Sequence, residues 1–240
     1  MTTLSLQALS ATSVASSLQI RNPLLVIAGY TGRNTDAVKQ HILELQAQGI
    51  PPPEMIPMFW TLPNWLLSVA QPAIQVHAGK SSGEAEPVLI RMPNGELFVT
   101  VGSDHTDRSL EASSILLAKL TCPKVLAPMV WRFEDVAERW DSLHLQAFAG
   151  DDETCYQDGA LALIRHPLEV LEQAFQSPFP VDRPFILFLG TIPLQTGSFC
   201  YAKHFLAILE DRERGRSLRC DYTIDDLSSI YSWGNAPDRK

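Results

Sequence analysis

Residues 83–90 read Gly-Glu-Ala-Glu-Pro-Val-Leu-Ile, and residues 102–108 read Gly-Ser-Asp-His-Thr-Asp-Arg. Residues two apart in a strand point to the same face of a sheet, so we expect Glu84 and Glu86 to project together. Two like charges on one face repel each other unless a positive group lies between them. A divalent cation is the simplest such group, with Asp104 as a third oxygen ligand, because hard cations prefer carboxylates. Taken alone, a Glu-x-Glu pair is more typical of a solvated strand face.

The second stretch strengthens the metal hypothesis because it places several reactive side chains at one strand end. The apolar run before it ends at Val101, and functional residues often collect at such ends. His105 adjoins Asp104 and would face the opposite side of a strand, so it is either a catalytic base or a support for the site. His77 lies upstream of the carboxylates and is a second candidate base, since imidazole titrates near neutral pH.

Two further motifs offer substrate contacts. Lys119 follows on a helix expected over residues 110–120, where its ammonium group would balance the carboxylates or bind substrate oxygens. Gly190 and Thr191 end a strongly apolar strand expected over residues 184–190. The glycine allows a ligand to approach the backbone, and the threonine hydroxyl and amide are suited to an oxyanion or carboxylate. A plain helix lysine and a plain strand-ending turn are the alternatives.

The composition limits the class of protein. The chain has 240 residues, of which 45% are hydrophobic and 19% charged, and its formal net charge is −8. This size suits one globular unit, and the acidic balance argues against a nucleic-acid partner. We expect no membrane partner, because no stretch is apolar enough to span a bilayer. Four scattered cysteines without metal spacing, and a start that is a poor signal peptide, predict reduced thiols and a cytoplasmic location.

Short β-branched runs alternate with a few helices along the chain, which favours an α+β fold over a doubly wound sheet. A buried strand is expected at residues 24–29 and a helix over residues 36–48. The intervening glycine turn lacks the third glycine of a dinucleotide site and the Gly-Lys-Ser/Thr of a phosphate loop. A tight turn at Pro93-Asn94-Gly95 predicts a hairpin, and Pro87 predicts an edge or irregular strand.

In order, the motifs are Glu84-x-Glu86, the stretch from Ser103 to Arg108, Lys119, and Gly190-Thr191-Ile192. This order resembles the fumarylacetoacetate hydrolase superfamily, and it looks closest to a bacterial branch that carries SGE-x-EPV, GSDHTDR and GT motifs. The resemblance covers roughly residues 74–225.

The resemblance implies a mixed β-roll catalytic domain, here residues 73–240, preceded by a small N-terminal α/β subdomain with a proline-rich connection, residues 1–72. It also implies a homodimer and a divalent cation held by Glu84, Glu86 and Asp104, with Mg²⁺ expected first and Mn²⁺ or Ca²⁺ as alternatives. The substrate partner would be a small 2-oxo acid. Further substrate contacts are expected from Arg108, Arg33, Tyr30 and Gln157, besides Gly190 and Thr191.

The predicted function is a metal-dependent hydrolase that cleaves a C–C bond in an acylpyruvate-type acid through a metal-stabilised enolate, with Lys119 binding a substrate oxygen. Two alternatives stay open. One is a hydratase, isomerase or decarboxylase acting on a 2-oxo acid at the same site. The other is a small-molecule-binding protein without catalysis on the same fold.

Overall fold

The computed structural model describes residues 2–9, 16–47, 49–69, 73–150, 154–175 and 182–229. The strands in this part of the chain are β1 (Thr3–Leu9), β2 (Ser16–Arg21), β3 (Leu24–Gly29), β4 (Met58–Leu62), β5 (Leu67–Val69), β6 (Ala73–Val76), β7 (Ser81–Ser82), β8 (Ala85–Arg91), β9 (Leu97–Asp104), β10 (Thr106–Asp107), β11 (Lys124–Leu126), β12 (Met129–Arg132), β13 (His144–Ala149), β14 (Thr154–Ala160), β15 (Phe185–Phe188), β16 (His204–Asp211) and β17 (Arg216–Asp226).

Helices are few and short. The α-helices are α1 (Thr35–Ala47), α2 (Arg108–Glu111), α3 (Ile115–Leu120) and α4 (Pro167–Ala174). Turns of 3₁₀ helix lie at Asn64–Leu66, Phe133–Asp135, Ala137–Ser142, Leu161–Leu163 and Leu227–Ser229. No helix in the described ranges is long and apolar enough to cross a membrane.

The larger sheet has the strand order β2-β1-β12-β9-β8-β15-β3-β4, and β11 joins it by pairing with both β9 and β5. Its central strands are buried on both faces, as in β8, where Val88, Leu89 and Ile90 are all nearly inaccessible to solvent. Strands β3 and β15 run parallel to each other. The two buried strands expected from the sequence are therefore confirmed, and they lie side by side.

The second sheet has the order β14-β13-β16-β17-β6. One continuous core joins the two sheets, and it includes Val99 of β9, Leu145 of β13, Leu209 of β16 and Leu218 of β17. Mixed pairing, two packed sheets and few helices confirm the α+β class with a β-roll architecture. The hairpin predicted at residues 93–95 is also confirmed, because β8 and β9 pair from Arg91↔Leu97 onwards.

Two local predictions were wrong. Strand β8 is not an edge, since it lies between β9 and β15. Its pairing with β15 begins at Val88, so the missing N–H of Pro87 falls where that ladder ends. The helix expected over residues 110–120 is divided into α2 and α3. The Ser114 side chain accepts a hydrogen bond from Leu117 N at 3.3 Å and so begins a new helix.

The proposed boundary at residue 72 stays a prediction. Strands from both sides of it pair within the larger sheet: β1 pairs with β12, β3 with β15, and β5 with β11. The first 69 residues therefore supply strands to the same sheet as β11, β12 and β15, which follow the proposed boundary.

Candidate metal centre

Three carboxylates meet where β8 begins and β9 ends. One oxygen from each of Glu84, Glu86 and Asp104 lies within 4.8 Å of the others. Antiparallel pairing causes this meeting, because Ala85 of β8 is opposite Ser103 of β9. Glu84 and Asp104 are also joined through the backbone, with Asp104 N donating to Glu84 O at 3.0 Å. We refer to these three residues as the carboxylate centre.

The carboxylate centre is buried, and this raises the cost of its charges. Glu86 and Asp104 are 2% and 0% exposed, whereas the Glu84 side chain is 19% exposed. Burial, followed by the charges of Asp104 and Glu84, raises the pKa of Glu86 well above its usual value. Burial also raises the pKa of Glu84, although Arg108 and Lys119 oppose the shift. Ionisation of Glu84 and Glu86 is therefore disfavoured in this environment.

Two lysines contact Asp104. Lys119 on α3 forms a very short ion pair with Oδ2, and Nζ of Lys124 on β11 lies 2.8 Å from Oδ1. Burial opposes ionisation of Asp104, but these two cations outweigh it and lower its pKa to about 2. The pKa of Lys119 is raised despite burial by Asp104, Glu84 and Glu86. Lys119 is therefore a permanent positive charge in this arrangement, unsuited to act as a base.

Lys124 had no place in the sequence-based prediction. It is fully buried, and its ammonium group also donates to His105 O at 2.6 Å. Burial lowers its pKa, with Asp104 acting in the opposite direction. A signal was present in the sequence, since Lys124 is a lone lysine directly before the apolar run Val125-Leu126-Ala127. Such a lysine needs a buried partner.

Arg108 lies beside Glu84, and its expected contact with substrate stays a prediction. Its Nη2 is 3.7 Å from Glu84 Oε2, its Nη1 pairs with Glu111 at 2.9 Å, and its Nε donates to Ser82 at 2.8 Å. The Asp107 side chain accepts from Ser109 N and Leu110 N and so caps α2, which fixes Arg108 at the first position of that helix. The Ser103-to-Arg108 motif therefore supplies both a carboxylate and a cation to this region.

The Gly190–Thr191 turn is bonded to β8. Gly190 N donates to Glu86 Oε2 at 2.8 Å, and the Thr191 hydroxyl donates to Ala85 O at 2.7 Å. Gly190 has φ 88°, and a Cβ there would come within 2.0 Å of Thr31 Oγ1. Only glycine fits such a position, which fixes the amide that holds Glu86.

Gln157 links the Gly190–Thr191 turn to the start of β8. The buried side chain accepts from Ala85 N at 3.0 Å and donates to Thr191 Oγ1 at 2.6 Å and to Ile192 O at 2.8 Å. These hydrogen bonds occupy the Gln157 side-chain amide with partners inside the protein. Its expected role in contacting substrate stays a prediction, and the geometry assigns it the positioning of β8.

The two candidate histidines lie apart from the carboxylate oxygens. The His105 side chain is buried, and its Nδ1 shares a hydrogen bond with Tyr222 OH at 2.9 Å, on the side facing the second sheet. Burial, together with Lys124 and Arg108, lowers the pKa of His105 to about 3, so the ring is neutral at physiological pH. His77 is exposed just after β6 of the second sheet, where it interacts with Asp226. Their catalytic roles remain predictions without a contact that supports them.

Tyr30 and Arg33 follow β3 but differ in their surroundings. Tyr30 is half-buried, and its pKa is raised by burial and by Glu111, with Lys119 opposing. Arg33 instead makes a two-pronged ion pair with Asp141, with both distances 2.7 Å, and donates to Ile164 O. Tyr30 therefore lies near the charged groups around the carboxylate centre, whereas the Arg33 guanidinium is paired with Asp141.

The residues of the carboxylate centre fit a hard divalent cation. All three donors are carboxylate oxygens, which Mg²⁺, Mn²⁺ and Ca²⁺ prefer. Glu86, buried and with a raised pKa, is the member that a cation would stabilise most. Among the described residues, Gly190 N donates the hydrogen bond that the Glu86 carboxylate accepts. A positive ion would relieve the repulsion that burial leaves uncompensated.

Comparison with known proteins agrees with the fold. Residues 28–222 match the model of a family described as protein of unknown function DUF2848. A sequence comparison with curated proteins found no match.

Solved structures with similar folds include proteins of the fumarylacetoacetate hydrolase group. A protein provisionally described as a fumarylacetoacetate isomerase/hydrolase from Oleispira antarctica is 13% identical, with a TM-score of 0.61 over 92% of this chain and 99% of that one. A provisional fumarylpyruvate hydrolase from Burkholderia cenocepacia is 14% identical, with a TM-score of 0.60 over 93% and 91%. The 2-keto-3-deoxy-D-arabinonate dehydratase complexed with magnesium and 2,5-dioxopentanoate is 13% identical, with a TM-score of 0.59 over 90% and 79%. The fold relationship predicted from the motif order is confirmed.

Proposed function

The chain belongs to the DUF2848 family, and we propose that it is a metal-dependent enzyme that cleaves a C–C bond in a small 2-oxo acid of the acylpyruvate type. One observation carries the proposal. Three carboxylates, two of them buried, converge beside a protonated lysine, on a fold shared with hydrolases and a dehydratase. Mg²⁺ is the cation proposed first, with Mn²⁺ or Ca²⁺ as alternatives.

Different residues would bind the cation, bind the substrate and orient the carboxylates. Glu84, Glu86 and Asp104 would hold the cation, which supplies positive charge next to the paired oxygens of a 2-oxo acid. Lys119 remains protonated and is placed to bind a substrate oxygen on which negative charge develops. Gly190 N orients Glu86, and Lys124 orients Asp104, so the carboxylates are held in place before substrate binds.

The proposed reaction consumes one water. The bond between the acyl carbon and the CH₂ of the acylpyruvate breaks, the acyl group leaves as a carboxylate, and the CH₂ takes up a proton to give pyruvate. Activating the water requires a base. Within the described ranges Glu111 is the additional carboxylate of this region, because it pairs with Arg108 beside Glu84. We assign it the base role in this proposal, in place of His105 or His77.

A lyase is the second candidate, and the placement of the histidines favours it. No histidine of the described residues is recorded in contact with the carboxylate centre, and elimination of water or CO₂ from a 2-oxo acid needs no activated water. The dehydratase with a similar fold was solved with magnesium and 2,5-dioxopentanoate. The dimer and the cytoplasmic location stay predictions.

The test is turnover of acetylpyruvate and related acylpyruvates with Mg²⁺ or Mn²⁺, followed by loss of enol absorbance and by product analysis. The proposal expects pyruvate and the acyl carboxylate in equal amounts, and no turnover by Glu86→Gln. Glu96→Gln, on the exposed β8–β9 hairpin, is the matched control and should keep wild-type activity. Release of water or CO₂ from 2-oxo acids without acyl release would favour the lyase. Absence of both activities would contradict the enzyme proposal.

A further inference from the structure

Solvent reaches the carboxylate centre at Glu84. Its side chain is 19% exposed, whereas those of Asp104, Lys119 and Arg108 are 0%, 7% and 4% exposed. The two cations that contact Glu84 are Lys119, at 3.9 Å, and Arg108, at 3.7 Å. A ligand that approaches Glu84 would lie close to these two cations and to the groups that flank them.

An aromatic ring covers Lys119. Its Nζ lies 5.6 Å from the centroid of the Trp60 ring, within the range of a cation–π contact. Tyr30 continues this surface, with its ring centroid 6.4 Å from that of Trp60. Both rings are half-buried, so part of each remains open to solvent.

The backbone around these rings is shaped to hold them. A Cβ at Gly29 would lie 2.5 Å from the Trp60 ring, so the ring rests directly on that glycine. Tyr30 has φ 58°, a left-handed conformation that is rare outside glycine. Backbone strain of this kind persists only where the surroundings enforce it, and it is concentrated at functional sites.

A second aromatic ring covers Arg108. Its guanidinium carbon lies 4.2 Å from the centroid of the Phe199 ring, and Phe199 is 41% exposed. Phe199 belongs to the segment between the Gly190–Thr191 turn and β16. Each cation beside the exposed carboxylate is thus flanked by an aromatic ring with free surface.

We propose that Trp60 and Phe199 form a recognition subsite for a planar apolar group, so that the preferred 2-oxo acids carry an aryl or conjugated unsaturated tail. The inference rests on the proposed function, because it places the polar head of the substrate at the carboxylate centre. Planar tails stack on such rings, whereas a methyl group contacts too little of them to benefit. Tyr30 positions the Trp60 ring.

The test measures binding, so that it is independent of turnover. Phenylpyruvate and pyruvate are titrated into the Mn²⁺-loaded protein by calorimetry, with quenching of tryptophan fluorescence as a second readout. We expect phenylpyruvate to bind about tenfold more tightly than pyruvate. Trp60→Ala and Phe199→Ala should each reduce that ratio to about threefold or less.

Trp65→Ala is the matched control, because Trp65 is 70% exposed and should leave the ratio as in wild type. Trp60→Leu retains an apolar side chain and replaces Trp60→Ala if that variant fails to fold. Equal affinity of the wild type for the two acids overturns the inference, as does an unchanged ratio in both variants, or no binding of either acid. Acylpyruvate turnover is measured in a separate assay. A negative result for the subsite can therefore be distinguished from a negative result for the proposed reaction.

Discussion

Glu86 and Asp211 are both carboxylates buried at the start or end of a strand, but they differ in how their charge is balanced. Asp211, at the end of β16, accepts hydrogen bonds from Arg139 at 3.0–3.2 Å and from Arg216 at 2.9 Å. Burial opposes ionisation of Asp211, but the two guanidinium groups outweigh it and lower its pKa. Glu86 accepts a backbone amide, lies beside two other carboxylates, and its pKa is raised.

This difference separates a structural cluster from a candidate site. Two arginines for one carboxylate give a closed arrangement in which an added cation would be repelled. In the carboxylate centre both lysines contact Asp104, and Lys119 and Arg108 lie 3.9 and 3.7 Å from Glu84, whereas the hydrogen bond to the Glu86 carboxylate comes from the backbone amide of Gly190. Burial of a charged group therefore indicates function only where its compensation is incomplete.

Glu86→Gln should have the largest effect, on metal affinity. The substitution removes one charged ligand, so we expect Mn²⁺ affinity measured by calorimetry to fall by about 100-fold or more. The metal-free protein should be at least as stable as wild type, because glutamine avoids the cost of a buried carboxyl group whose ionisation is disfavoured by burial. Asp211→Asn, the corresponding change in the balanced cluster, should leave Mn²⁺ affinity unchanged. An equal loss of Mn²⁺ affinity in both variants would contradict the distinction between the candidate metal centre and the structural Asp211 cluster.

Lys124→Met should destabilise the metal-free protein. The change deprives Asp104 of one buried cation and leaves His105 O without its donor, which costs about 3 kcal/mol in the free energy of unfolding. Saturating Mn²⁺ should recover part of this loss, since the ion supplies positive charge to the same carboxylate. Denaturant unfolding with and without Mn²⁺ measures both. A loss that Mn²⁺ does not reduce would show that Lys124 acts independently of the centre.

Arg216→Met should also destabilise the protein, by about 2 kcal/mol, because Asp211 loses one of its two cations and the guanidinium leaves the Trp131 ring, 4.6 Å away. Here Mn²⁺ should recover nothing. Arg212→Met is the matched control, since the Arg212–Glu210 pair is more exposed and is worth less than about 1 kcal/mol. Recovery of the Arg216→Met loss by Mn²⁺ would contradict the assignment of this cluster as structural.

The smallest expected effect is the pH dependence of the Asp211 contribution. A carboxyl whose pKa is lower in the folded than in the unfolded state adds stability above its unfolded pKa of about 4. That stability is lost as the pH falls through the folded pKa. The difference in unfolding free energy between wild type and Asp211→Asn should therefore shrink by about 1 kcal/mol between pH 6 and pH 3. Asp36→Asn, at an exposed position of α1, is the control substitution.

The sequence was most informative where one local rule sufficed. Strands β3, β8 and β15 are apolar runs bounded by turn residues, and the turn at residues 93–95 predicts the hairpin between β8 and β9. Glu84 and Glu86 were expected on one face from the two-residue period of a strand alone. Pro87 wrongly suggested an edge strand, because the effect of a proline depends on where the neighbouring strand ends. The apolar spacing of residues 110–120 predicted one continuous helix, but Ser114 begins a second helix there.

Within the candidate site, the motif order found the residues that belong to short consecutive stretches and missed those that do not. Phe199 and Tyr222 reach this region from a loop and from β17 of the second sheet, whereas Lys124 reaches it from β11, where it is paired with Asp104 of β9. Gln157 and Arg33 were expected to contact substrate. Whether such side chains are free depends on partners more than 30 residues away, as in the bonds of Gln157 to Ala85 and Thr191 and of Arg33 to Asp141.

The sequence by itself predicted the α+β class and the three candidate carboxylates from periodicity and from spacing within short stretches, whereas the fumarylacetoacetate hydrolase-like order of motifs came from resemblance to a known family. Only the tertiary structure decided how the charges are balanced. It directs Lys119 and Lys124 to Asp104 and leaves Glu86 with a backbone amide, and it places His105 against Tyr222. These outcomes depend on contacts between residues far apart in the chain, through strand pairing for Lys124 and Gly190 and through packing of the second sheet for Tyr222. The energy of a charge depends on its solvent exposure and on the groups within a few ångströms.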